Sequence, residues 1–140
     1  MISANLNWNG DNSKRLIADW AWEGIVRATE YFWTHLLQVL NVPNSGVRIK
    51  RTRGRGSYTV YPNPSKPGEP PRKRTGWLQR HVQREYDRAN LSSRVGLATG
   101  ALYGLFLEMG TRKMAARPWL LATLKKLLPQ IEQQATGGGP

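Results

Sequence analysis

The sequence predicts an α+β fold: a long N-terminal helix packed on a small antiparallel sheet, with a C-terminal helix and a long Pro/Gly-rich basic loop. Three observations predict it. Residues 13–40 form one apolar-rich run with helical spacing, closed by Asn41 and Pro43. Two pairs of short runs with period-two alternation follow. A second helical pattern opens at Pro118, since proline is favourable at a first helical position. The 140 residues suit one domain. We assign it to residues 1–134, with 46–76 as a basic, loop-rich arm and 135–140 as a flexible tail.

The first helix begins behind Asp11, Asn12 and Ser13, all good N-cap types. Arg15, Asp19, Glu23, Arg27 (or Thr29 and Glu30 beside it), Thr34 and Gln38 step by three and four, which makes one narrow polar stripe. The remainder is mostly apolar. A surface helix of a monomer needs a single apolar face, and this one has close to two. One face is expected on the chain's own core. The other, carrying Trp20, Trp22 and Trp33, is expected on a neighbouring subunit; burial within one domain is the competing reading. Gly24 costs about 1 kcal/mol relative to alanine in mid-helix. It is expected to mark the close approach of another backbone.

Segment 46–76 holds Gly46, Gly54, Gly56, Gly68 and Gly76, and prolines at 62, 64, 67, 70 and 71. Residues 47–50 and 58–61 read as strands that could pair around the turn between them. The Pro-rich part after Tyr61 fits neither sheet nor helix interior and is expected to be an extended arm or flexible loop. Trp77 and Leu78 open a short helical turn or lead straight into strand. Val82, Arg84 and Tyr86 against Arg94, Val95 and Leu97 read as a second hairpin. Residues 101–111 run apolar, as strand or turn, into a glycine turn. In the last element Trp119, Leu120, Leu124, Leu127, Leu128 and Ile131 form an apolar face, and Pro129 should kink or end the helix near Leu128.

The formal net charge is +12, and 13 of the 21 Lys/Arg but only three of the nine acids fall in residues 45–95. Such a patch suits phosphate contact; docking on acidic neighbours or plain solvation suits it equally. Arg48, Lys50, Arg51, Arg53, Arg55, Arg72, Lys73 and Arg74 are the candidates for contact with DNA or a protein partner. The Arg/Gly run beside Tyr58 and Tyr61 is of the type that tracks phosphates and stacks bases. No helix-turn-helix, zinc-finger or RNP1 motif accompanies it. Segment 48–61 therefore carries an alternative reading as a basic nucleic-acid-binding module.

Little points to catalysis. Without cysteine there is no thiolate nucleophile, disulfide or Cys-based zinc site. His35 has no carboxylate three or four residues away, and His81 lies among Arg80 and Arg84. No metalloprotease, Walker or serine-hydrolase motif is present. Glu85 and Asp87, beside Arg84 and Arg88, read as a cross-strand ion-pair set. Glu108 stands between Leu107 and Met109, where a carboxylate needs a partner. Arg112 and Arg117 are near in sequence and suited to one. We expect a structural or inter-subunit ion pair, no enzyme activity, no cofactor and no metal. No run approaches the length of a membrane span, and the N-terminus lacks the pattern of a signal peptide.

Tyr103, Glu108, Gly110, Thr111, Met114, Ala116, Arg117, Pro118 and Leu120 stand in the order and spacing of one family's signature. The chain resembles the neck or tail-completion (head–tail joining) proteins of long-tailed bacteriophages. Gly104, Ala115 and Trp119 are mild departures. A second stretch, Pro67, Gly68, Pro70, Pro71, Thr75, Gly76 and Leu78, is similar to that family's Pro-Gly segment. The resemblance implies the same α+β fold, with Gly110, Thr111, Pro118 and Trp119 marking a turn and a helix start. It implies a virion protein, assembled in the bacterial host cytoplasm as a ring of six or twelve copies between the portal side of the head and the tail tube. Its partners would be itself, the adjacent neck, portal-side and tail-tube proteins, and double-stranded DNA in the lumen. No catalytic residue is implied. The basic residues 48–55 and 72–74 lie where the family has variable loops. A ring of identical subunits needs two different contact surfaces per copy, and the over-apolar helix can supply one.

Overall fold

A computed structural model describes residues 10–44, 46–50, 56–62 and 64–137. Helix α1 (Gly10–Val39) is 30 residues long, roughly 45 Å at 1.5 Å per residue. Its buried positions are Gly24, Ala28, Thr29, Phe32 and Leu36, and Leu40 follows just beyond. These steps of one, three and four define the stripe that faces the core.

Two antiparallel hairpins follow. The first pairs β1 (Val47–Lys50) with β2 (Ser57–Val60), Val47 opposite Val60. A short helix, α2 (Trp77–His81), leads directly into β3 (Val82–Asp87), which pairs with β4 (Ser92–Leu97), Val82 opposite Leu97 and Arg84 opposite Val95. Each hairpin is its own two-stranded sheet. The second packs on α1. Thr29 donates its hydroxyl proton to the Ile25 carbonyl at 2.7 Å, so Ser93 must donate to the Thr29 oxygen at 2.6 Å.

Residues 101–111 differ from the expected strand or turn: they form helix α3 (Leu102–Met109), with Gly104 and Leu107 turned inward. Gly104 is closely packed: an added Cβ would lie 2.5 Å from the Leu97 Cδ1 and 2.8 Å from the Leu78 Cδ1, so these side chains would have to shift to admit one. Helical spacing puts both inward positions on one face, which a strand would split.

Helix α4 (Leu121–Thr136) begins three residues after Pro118 and does not end at Pro129, which lies inside it. Lys125 and Pro129 are both exposed, so water can take the carbonyl that loses its helical partner. The far end of the helix is also held. A Cβ on Gly24 would lie 2.1 Å from the Ala135 carbonyl oxygen, and Arg27 Nε donates to the Gln134 carbonyl at 3.2 Å. Gly24 thus marks the close backbone approach that its place in the sequence suggests. The tail expected from residue 135 is helical through Thr136; residues 138–140 lie outside the described residues.

The core gathers Phe32, Leu36 and Leu40 of α1 and its end, Leu78, Val82, Leu107 and Trp119. Trp119, just before α4, joins Leu36 and Leu40 in the core cluster, whereas Ala135 near the end of α4 lies on Gly24. Helix α4 therefore runs antiparallel to α1.

Candidate assembly site

The signature region is one interlocked unit. Gly110 closes α3 with φ 76° and ψ 174°, a backbone conformation open essentially to glycine alone. Thr111 and Met114 exchange backbone hydrogen bonds, and the Arg117 N–H donates to the Leu107 carbonyl at 2.7 Å. The chain has then doubled back beside α3. Glu108 meets the start of α4 there. Its Oε2 accepts from the N–H groups of Trp119 at 2.7 Å and Leu120 at 2.9 Å, and Oε1 accepts from Leu121 at 3.0 Å. Helix N-termini leave backbone donors without partners and carry partial positive charge. A carboxylate from another helix satisfies both. The Trp119 ring is 1% exposed, and its indole N–H donates to the Gly104 carbonyl at 3.0 Å.

This corrects the ion pair expected of Glu108 with Arg112 or Arg117. Among the described residues the ion pairs are Arg27–Glu23, Arg84–Glu30 and Arg88–Asp19. Glu108 faces backbone N–H groups instead, which offset its desolvation without a guanidinium. Arg112 is exposed. Arg117 turns to the Pro-rich segment, where Nη1 donates to the buried Ser65 hydroxyl at 2.9 Å. That segment is no free arm. Gly68 donates to the Ala116 carbonyl, and the Lys73 backbone exchanges bonds with Val42 and Asn44.

Of the three tryptophans expected on an oligomer face of α1, one is free to serve. Trp20 is 55% exposed, beside Leu16 and Ile17 at 70% and 66%. Trp22 is half-buried, edge-on to Tyr86 with ring centroids 6.0 Å apart. Trp33 packs against the core beneath the Arg84 guanidinium, 3.7 Å from its ring centroid. The polar stripe of α1 explains this, because β3 and the turn after it meet it: Glu30 pairs with Arg84 of β3 at 2.6 Å and Asp19 with Arg88, just past β3, at 2.8 Å. Partial burial, then the hydrogen bond to Glu30, raises the Tyr86 hydroxyl above its ordinary range. The cross-strand ion-pair set is corrected likewise. Glu85 stands opposite Arg94 in register without an ion pair. Asp87 accepts from the Asn90 side-chain amide at 2.6 Å and its N–H at 3.1 Å, and these bonds hold its carboxyl below the usual aspartate range.

The outer face of α3 carries Leu102, Leu105, Phe106 and Met109, all substantially exposed, Met109 at 73%. Their spacing makes one continuous apolar stripe. Exposed Leu121 and Leu128 lie on the outer side of α4. Sequence reasoning missed this surface because the segment was not read as a helix; its i, i+3, i+4, i+7 spacing was the available signal.

The basic candidates divide. Arg51, Arg53 and Arg55 lie outside the described residues, and Arg48 and Lys50 are placed on β1 by their backbone. Lys73 is committed to Asn41, donating at 2.9 Å. Arg72 and Arg74 are exposed on the rim of a cleft of about 420 Å³, whose walls include Tyr61, Trp77 and Tyr103 above Leu40, Leu78 and Leu107. Arg74 lies over the Tyr61 ring at 4.8 Å, and among the described residues no carboxylate lines the cleft. Among the described residues no cluster of His, Asp or Glu could hold a metal ion, and no helix is long and apolar enough to cross a membrane.

Comparison with family models, with curated proteins and with solved structures gives no match to this chain.

Proposed function

We propose that the chain is a non-enzymatic structural protein of the head–tail neck of a long-tailed bacteriophage, forming a ring through which DNA passes. The observation that carries this reading is the bond set of Glu108 with the start of α4. It ties the signature residues into one unit: Glu108 caps the helix, Gly110 makes the turn, and Arg117 anchors the Pro-rich segment, home of the second signature. A resemblance built from residues with interdependent structural tasks is a resemblance of folds, since losing one task undoes the others. The apolar residues exposed on α1 and α3 suit a subunit that is finished only on assembly.

Particles of the phage or prophage that carries the gene test it. Mass spectrometry of purified virions should find the chain, and electron microscopy should find it between portal and tail tube. A nonsense mutation should leave heads and tails unjoined. Virions that lack the chain, or full infectivity after the nonsense mutation, sink the proposal.

A second reading, a nucleic-acid-binding module, is favoured by the cleft with Arg72 and Arg74 above Tyr61 and Trp77. It expects DNA binding that weakens steeply with salt and is lost in an Arg72→Ala/Arg74→Ala variant.

A further inference from the structure

We propose that the cleft walled by residues 71–79 and α3 is a docking site for an extended acidic segment of another protein. That segment buries one large apolar side chain in the cleft and sets carboxylates against Arg72 and Arg74. The inference adds a partner site to the neck reading without resting on it, and it competes with the nucleic-acid reading for the same cleft.

The sign of the partner follows from charge left over within the chain. Arg72 and Arg74 are exposed on the rim, and neither is in an ion pair among the described residues. Arg80 adds a third such cation. Its Nη1 donates to the Thr75 carbonyl at 3.0 Å, beside Gly76 in the cleft wall. Glu69, the acid nearest Arg72 and Arg74 in sequence, accepts from the Lys66 N–H at 3.0 Å and lines no part of the cleft. Cations gathered around one opening without acids favour an anionic partner.

The backbone favours a peptide among anions. Lys73 forms a parallel bridge with Pro43: its N–H donates to the Val42 carbonyl at 2.7 Å, and its carbonyl accepts from Asn44 at 2.8 Å. In a trans peptide the C=O and N–H point in opposite directions. The Arg72 carbonyl and the Arg74 N–H therefore point away from residues 42–44. Among the described residues neither has a backbone hydrogen-bond partner. One acceptor and one donor on the same free edge are the pair that an added extended chain uses.

The floor favours an apolar side chain over a base. It is built from Leu40, Leu78 and Leu107. Polar side chains along the cleft are engaged elsewhere, the Gln79 amide with the Leu37 carbonyl at 3.3 Å and Lys73 with Asn41 at 2.9 Å. Base edges carry polar groups that a leucine floor leaves without partners, at a cost. A leucine or phenylalanine side chain loses no hydrogen bond there. Stacking is restricted as well. One face of Trp77 is stacked on His81 with centroids 3.9 Å apart, and one face of Tyr61 lies under Arg74.

The test uses the full chain and short fluorescein-labelled peptides, read by fluorescence anisotropy at physiological salt. One peptide has glutamates around a central phenylalanine, a second has serine in place of the phenylalanine, and a third has lysines in place of the glutamates. The first should bind wild type, and the other two should bind about tenfold more weakly or worse. Arg72→Glu/Arg74→Glu should lose the first peptide by a similar factor. Tyr103→Asp, at a half-exposed position on the opposite wall, should weaken it too without touching the rim arginines. Circular dichroism verifies the fold of both variants. Unlabelled oligothymidine should not displace the peptide. No binding of the first peptide, equal binding of the serine or lysine peptide, or unchanged binding by folded variants overturns the inference. Displacement by oligothymidine also overturns it and assigns the cleft to nucleic acid. The presence or absence of the chain in virions bears on the neck reading alone.

Discussion

Glu108 and Trp119 lie 11 residues apart, and the carboxylate of the first accepts the backbone N–H of the second at 2.7 Å. With the neighbouring bonds to Leu120 and Leu121, this fixes where α4 starts and how it leaves α3. A helix cap is usually supplied by the residue just before the helix. Here it comes from the preceding helix, so cap and tertiary packing form together.

Glu108→Ala should cost about 2–3 kcal/mol, since it removes a charged acceptor from three backbone donors. The midpoint of thermal unfolding should fall by roughly 5–10 °C. Glu108→Gln should cost less, about 1 kcal/mol, because its one carbonyl oxygen can still serve Trp119 and Leu120. Urea denaturation of the three proteins checks the order; an alanine variant as stable as wild type contradicts the capping role.

Two glycines should respond differently to alanine. At Gly24 the new Cβ would meet the Ala135 carbonyl, a backbone atom that can move only if α4 moves. Gly24→Ala should destabilise by about 2 kcal/mol or more, although the same change in an open helix stabilises by about 1 kcal/mol. At Gly104 the obstacles are the methyl ends of Leu97 and Leu78, which can change rotamer. Gly104→Ala should therefore cost less, about 1 kcal/mol. Chemical denaturation gives the sign at Gly24 and the order of the pair.

Gly110→Ala should destabilise by about 1–3 kcal/mol through backbone strain. Contact adds to it, because the Cβ would lie 2.8 Å from the Ala116 nitrogen. Hydrogen exchange should quicken at the amides of residues 111–117 before it does in α1. Unchanged stability and exchange would mean that the turn does not need its glycine.

Asp87 predicts a pH effect. Its folded-state pKa is depressed, so its contribution to stability is complete above the unfolded value of about 3.9 and is lost as pH falls through the folded value. Asn90→Ala removes the side-chain donor, the largest cause of the depression. The Asp87 titration followed by NMR should move up toward the ordinary aspartate range. The loss of stability below about pH 4 should become shallower. An unmoved midpoint would assign the depression to other groups.

The long helix and both hairpins were legible because their signals are local. The spacing of Phe32, Leu36 and Leu40, and the alternation of Val82, Arg84 and Tyr86, are set by helix and strand periods. Gly24 was legible too, since a glycine amid good helix formers asks for a close neighbour. Helix α3 was not, because an apolar run of eight residues is ambiguous between strand and helix. The end of α4 was hidden by Pro129, whose penalty is avoided only where the freed carbonyl faces water.

By itself, then, the sequence determined the α+β class, the hairpin registers' polarity pattern, and the need of Glu108 for a partner. Only the tertiary structure decided what that partner is. Arg112 and Arg117 are near Glu108 along the chain, but the turn at Gly110 carries the backbone of residues 119–121 back onto the carboxylate and sends Arg117 toward Ser65. It likewise decided which of the three α1 tryptophans stays most exposed: Trp22 and Trp33 are partly covered by Tyr86 and Arg84 from β3, and Trp20 is not. A periodic pattern shows that a side chain wants cover, but what covers it depends on segments brought together from elsewhere in the chain.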